Sequence, residues 1–171
     1  MHKLRHTPGD PEEALTEAVE TVVGEGPVYV LGLGYVDKAD DGAGVLVANT
    51  LKETFPDYSF SEHDGVEGVV LDISQKTGPG TVLFVDAGDL KAPPGTIGIV
   101  TRDQIKDTEI STHRVPVALM AAILERSGKK VAIVAIQPKC LEFRAEVSQE
   151  VGRSVAAVVA TLSRLMQERN G

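Results

Sequence analysis

Apolar positions along this chain follow two alternating rhythms. Leu15, Val19, Val22 and Val23 recur at helical spacing behind Asp10-Pro11-Glu12-Glu13, which combines a capping residue, a proline suited to a first helical turn and an acid able to reach back to the cap; a helix is predicted over residues 11–23. Residues 28–33 are a short apolar run ending in glycines, and beyond Asp40-Asp41-Gly42 a second helical stretch carries Val47, Leu51 and Phe55 four apart. Residues 58–62 read as a short strand and 66–75 as a helix. Residues 81–86 (TVLFVD) are an uninterrupted, β-branched run, as in a strand covered on both faces. Pro93-Pro94-Gly95 breaks the chain before another strand at 96–100. A polar loop then leads to His113, a helix is predicted over 116–126 with a stop at Gly128, and residues 131–136 make the fifth strand. Val147, Val151, Val155, Val158, Leu162 and Leu165 step by four and three, describing a long amphipathic helix that ends at Asn170-Gly171.

Strands that alternate with helices of this length imply parallel pairing, because a parallel connection needs a crossover and a helix is the usual one. The expected fold is therefore α/β: a single-domain three-layer sandwich with a mostly parallel five-stranded sheet and helices on both faces. With 171 residues, 42% of them hydrophobic, one core can be filled and little more, so residues 1–171 are expected to form one domain behind a polar leader at 1–10.

Charge narrows the partners. Seventeen Lys and Arg against 25 Asp and Glu leave a net charge of −8, which disfavours nucleic acid and anionic membranes. One cysteine excludes an internal disulfide framework and any four-cysteine zinc site. No apolar run reaches membrane-spanning length, and the leader lacks the apolar core of a signal peptide, so a soluble, cytoplasmic protein is expected.

Ligands of parallel sheets gather beyond the C-terminal strand ends, which singles out Asp41 after the first strand, Asp86 at the end of a central one and His113 in the loop before a helix. Two adjacent aspartates exceed what one helix cap needs, leaving Asp41 to point into the crevice. A carboxylate at the edge of a buried strand must be paired, hydrogen-bonded or metal-bound; capping the following turn is the simpler account of Asp86. A loop histidine is more often satisfied locally than a ligand. Together the three make an imidazole and two carboxylates, a set suited to Ni, Zn, Fe or Co with coordination positions left open. Other signals are weaker. Gly32-Leu33-Gly34 lacks the third glycine of a dinucleotide loop, where Asp37 stands. Nothing near Cys140 marks an activated thiol, and Glu62-His63-Asp64 reads as a solvated strand end.

The stretch GLGYVDKADDGAG (residues 32–44) resembles the signature of the nickel-iron hydrogenase maturation endopeptidases. VLFVDAGD (82–89) is similar to that family's second acidic motif, THRVPV (112–117) to its histidine motif, and Ile136-Gln137-Pro138 to the branch serving hydrogen-evolving, formate-linked and archaeal hydrogenases. The resemblance implies an aspartyl-type endopeptidase that recognises nickel inserted in the hydrogenase large-subunit precursor and removes a short C-terminal extension, the nickel arriving in the substrate. The family's metal-contacting and catalytic residues match Asp41, Asp86 and His113. Three features depart from the pattern: Tyr35 stands where the family has Asn, the family's Asp-Gly-Gly-Thr-like turn is matched only in part by Asp64-Gly65-Val66-Glu67, and the helix over 11–23 precedes the usual start. Tyr35 and the altered turn leave open an alternative, a non-catalytic nickel-sensing or precursor-binding module of the same fold.

Overall fold

The structure, a computed structural model, describes residues 2–3, 11–107, 109–110 and 116–171. Chain order runs β1 (His2–Lys3), α1 (Pro11–Glu20), β2 (Val28–Gly32), α2 (Ala43–Lys52), β3 (Ser59–Ser61), α3 (Val66–Gln75), β4 (Thr81–Asp89), β5 (Ile97–Val100), β6 (Glu109–Ile110), α4 (Val117–Arg126), β7 (Lys130–Ile136) and α5 (Gln149–Asn170). The five expected strands are β2, β3, β4, β5 and β7, in the spatial order β5-β7-β4-β2-β3. β3, β2, β4 and β7 pair in parallel, whereas β5 runs antiparallel to β7. Two two-residue strands were not expected: β1, inside the expected polar leader, pairs antiparallel with β5, and β6 with the end of β4.

Alternation along the central strands sends side chains into two cores. Val28, Val30, Leu83, Val85, Ala132 and Val134 meet α1, α2 and α5 on one face. On the other, Tyr29, Leu31, Val82, Phe84, Ile133 and Ala135 meet α3 and α4. Both faces are covered, which is why β2 and β4 read as continuous apolar runs. The N-terminal helix, without a counterpart in the resemblance, has a packing role: Leu15 and Val19, each 1% exposed, close the first core, and α1 lies against α5.

Element ends differ from expectation in instructive places. α2 stops at Lys52, and Phe55 packs on the same core from beyond it. α5 begins at Gln149 because Ser148 caps it, its hydroxyl accepting from Val151 N–H, so Val147 precedes the helix. The turn put in question by Asp64-Gly65-Val66-Glu67 is present: Gly65 at φ 74 joins a capping box, in which Asp64 accepts from Ser61 N–H at 2.9 Å, to the start of α3. Glu62-His63-Asp64 is thus an ordered 3₁₀ turn, with Lys52 bonded to Asp64 at 2.6 Å, rather than a merely solvated strand end.

Candidate metal and peptide site

Site geometry is set where β2 runs out. Past Gly32 the chain turns through Gly34, and a 3₁₀ turn (Ala39–Gly42) leads into α2. Gly34 adopts φ 124, a region closed to other residues, and any Cβ there would strike the main-chain oxygen of Asp41. That contact folds the loop back on itself, and Tyr35 N–H donates to Asp41 Oδ2 at 3.0 Å. Asp41 is 4% exposed, and its Oδ1 accepts no hydrogen bond among the described residues. One carboxylate oxygen is used for orientation and the other remains available.

Asp86 approaches the same place from β4. Leu33 N–H donates to Val85 oxygen at 2.9 Å, and α2 starts so close to β4 that a Cβ at Gly44 would meet that same Val85 oxygen. The loop carrying Asp41 and the strand carrying Asp86 are therefore stitched together at the C-terminal edge of the sheet. Asp86 does not cap a turn. It lies inside β4 opposite Ala135, because β4 continues to Asp89 with β6 alongside, and it is wholly buried. By strand alternation it shares the face of Val82 and Phe84, toward α3 and α4. A buried carboxylate keeps its charge only with hydrogen-bonding or cationic company. His113, the third predicted ligand, lies outside the described residues. Among those described, no three His, Cys, Asp or Glu side chains gather as a metal cluster; the structure places Asp41 in the turn after β2 and Asp86 within the neighbouring strand β4, both toward the C-terminal edge of the sheet, and carboxylate oxygens are donors that suit a divalent cation.

The neighbouring Asp40 does something else. Its carboxylate accepts from the N–H groups of Lys139 (2.8 Å), Cys140 (2.9 Å) and Ser148 (2.7 Å), and from the Ser148 hydroxyl (2.9 Å). Burial by itself raises this carboxyl, but the N–H donors of Cys140, Ser148 and Lys139, with the Ser148 hydroxyl, outweigh it and hold it below the usual carboxylate range. Asp40 thereby clasps the β7–α5 loop to the turn that carries Asp41. Cys140 serves this clasp through its main chain, with its carbonyl accepting from Asp40 N–H at 3.0 Å. The sequence offered no local signal for the clasp, since the partners sit about a hundred positions away.

On the far side of the loop that orients Asp41 opens a cleft of about 630 Å³ bordered by the Gly34–Lys38 loop, the Glu62-His63 turn, the first turn of α3, Met120 and Phe143. It went unrecognised in sequence because its walls come from five separate elements. Among the described residues, no helix is long and apolar enough to cross a membrane.

Relatives agree with this architecture. A curated putative hydrogenase maturation protease of Methanocaldococcus jannaschii is 26% identical over 153 residues, covering 82% of this chain and 89% of that protein. The hydrogenase 3 maturation protease of Escherichia coli is 29% identical over 136 residues, covering 78% and 86%. The fold is shared with the crystal structure of the NiFe hydrogenase maturation protease HycI from Thermococcus kodakarensis, with a TM-score of 0.71 and 24% identity over 90% of this chain and 98% of that one. The sequence profile of the hydrogenase maturation proteases matches residues 64–165, which takes in Asp86, the segment around His113 and most of the last long helix. Because that match spans more than half of the chain, the protein belongs to the hydrogenase maturation protease family.

Proposed function

We propose that this protein is the endopeptidase that trims a short C-terminal extension from a NiFe hydrogenase large-subunit precursor after nickel insertion, and that Asp41, Asp86 and His113 engage the nickel the substrate presents. The observation that carries this reading is that Asp41, oriented through Oδ2, and buried Asp86 stand on connected elements, the turn after β2 and its neighbour β4. Family membership supports the proteolytic chemistry, and two related maturation proteases have the residue spans given above.

In this reading Tyr35 N–H fixes the rotation of the Asp41 carboxylate, so that a cation meets one preset oxygen. Asp86 supplies a second oxygen from within the sheet, where rigid strand pairing holds it. The nickel ion supplies Lewis acidity beside the scissile peptide bond. Without a cation, the two carboxylates oppose approach of the substrate by mutual repulsion, so a nickel-free precursor is a poor partner. Tyr35 replaces the family's Asn without removing the bond that orients Asp41, since the donor is the main chain. Mass spectrometry of the precursor's C-terminus, with and without nickel and with Asp41→Asn as control, tests the reading. Loss of the extension only from the loaded precursor is expected. Equal trimming of the nickel-free form would remove metal gating, and no trimming of the loaded form by the wild-type chain would remove the proteolytic reading.

A further inference from the structure

The Gly34–Lys38 loop has two sides. One orients Asp41; the other borders the cleft, and here three large apolar side chains face water: Phe143 is 74% exposed, Tyr35 53% and Val36 43%. Leu33, Val66 and Met120, which are buried, line one part of the same cleft, and Asp37, Lys38, Glu62, His63 and Glu67 line the rest. A buried apolar wall with an exposed aromatic at its mouth is the layout of an anchor that gains its burial from a bound partner.

Phe143 is not exposed for want of restraint. Its neighbour Arg144 holds a left-handed φ of 61, and Arg144 N–H donates to Asp37 oxygen at 2.7 Å, tying the β7–α5 loop to the cleft-lining loop. A non-glycine residue in that conformation is strained and persists only where its surroundings impose it. The Asp40 clasp fixes the loop on both flanks, at Lys139-Cys140 and at Ser148. Lys38 Nζ stands 5.7 Å from the Phe143 ring centroid, close enough to bias the ring's orientation. The backbone is thus held in place with the ring outward, which lowers the ordering cost of binding.

We propose that Phe143, with the Tyr35-Val36 edge, anchors an extended segment of the substrate polypeptide through an apolar side chain of that segment. The cleft's volume lies within the roughly 300–1,000 Å³ range of small binding pockets and so admits a few side chains, not a folded domain. The occupant is a polypeptide because the cleft is lined by the Gly34–Lys38 loop that orients Asp41: chain lying in it runs along the loop of the proposed cleavage site. This inference rests on the proteolytic reading above and adds how the substrate is held.

The test compares wild type with Phe143→Ser, using the nickel-loaded large-subunit precursor. Kd is read by fluorescence anisotropy, KM and kcat by mass spectrometry, and folding by a melting curve. Phe143→Ser is expected to raise Kd and KM about tenfold, with kcat within about twofold and melting unchanged, since the ring is exposed. An unchanged Kd, a loss confined to kcat, or failure of the wild type to bind the precursor would overturn the anchor. If the tenfold difference in Kd is present while neither protein cleaves, the anchor stands and the proteolytic reading falls.

Discussion

Asp40 holds Ser148 twice, through its main-chain N–H at 2.7 Å and its hydroxyl at 2.9 Å, across 108 positions of sequence. The same carboxylate binds two more N–H groups of that loop, and the residue is wholly buried. Removing it strands several donors in an apolar setting. Asp40→Ala is expected to lower unfolding free energy by roughly 3 kcal/mol, measured by urea denaturation, with Asp40→Asn recovering part of the loss because the amide keeps one acceptor oxygen. A change below about 0.5 kcal/mol in Asp40→Ala would mean that the loop is held by other contacts.

The same clasp governs acid stability. Asp40 titrates lower in the folded protein than a free carboxyl, which has a pKa of about 3.9, so it binds fewer protons folded than unfolded over that interval. Its contribution is complete above the unfolded value and is lost as pH falls through the folded one. Asp64 adds a component of the same sign: burial raises its carboxyl, and Lys52 and Ser61 N–H more than offset this. Stability measured by denaturation from pH 6 to pH 2 should fall steeply below about pH 4 in the wild type. In Asp40→Asn the acid slope should be shallower, and an identical slope would remove Asp40 from the account.

Gly34 is the hinge on which Asp41 depends. At φ 124, with a Cβ certain to meet the Asp41 main chain, Gly34→Ala must displace the loop. The strain alone is about 1–3 kcal/mol, and the expected result is a lower melting temperature together with cleavage reduced at least tenfold. Calorimetry and the C-terminal mass assay read the two effects separately. Normal cleavage by Gly34→Ala would show that Asp41 does not need this loop geometry.

If the proposed function holds, His113→Ala should weaken nickel binding at least tenfold while leaving unfolding free energy within about 0.5 kcal/mol, because a histidine that engages a metal contributes coordination more than packing. Calorimetric nickel titration paired with a melting curve checks both. A large drop in melting temperature with nickel affinity retained would assign His113 a packing role instead.

What could be read from sequence follows the range of the interactions involved. The parallel core was legible because β2 and β4 are buried on both faces and their apolar runs are local facts of the chain. Asp41, in the turn beyond β2, and Asp86, within the β4 run, drew notice by the same local facts. Asp86 as an interior strand residue was not, since β4 is prolonged by pairing with Glu109–Ile110, a two-residue strand too short to show a period. Asp40 looked like a helix cap because its partners, Lys139, Cys140 and Ser148, lie beyond any local window. Lys129 escaped notice likewise: a lysine only 4% exposed, it donates to the carbonyls of Lys76 and Gly78 at 2.7 and 3.0 Å and ties β7's start to the end of α3.

Tyr35 is one of the positions at which this chain departs from the motif it resembles, and the structure gives a reason why the departure can be tolerated. What Asp41 receives from position 35 is an N–H at 3.0 Å, which Tyr and Asn supply equally. The side chain is 53% exposed at the mouth of the cleft, so its influence falls on what enters there. Tyr35→Asn is therefore expected to leave kcat within about twofold and unfolding free energy within about 0.5 kcal/mol, while KM for the loaded precursor rises a few fold as apolar contact area is lost. Steady-state cleavage read by mass spectrometry separates the two parameters. A kcat rise of tenfold or more in Tyr35→Asn would show that Asn contributes its side chain to the reacting centre, and that the tyrosine costs this protein catalytic power instead of adding grip.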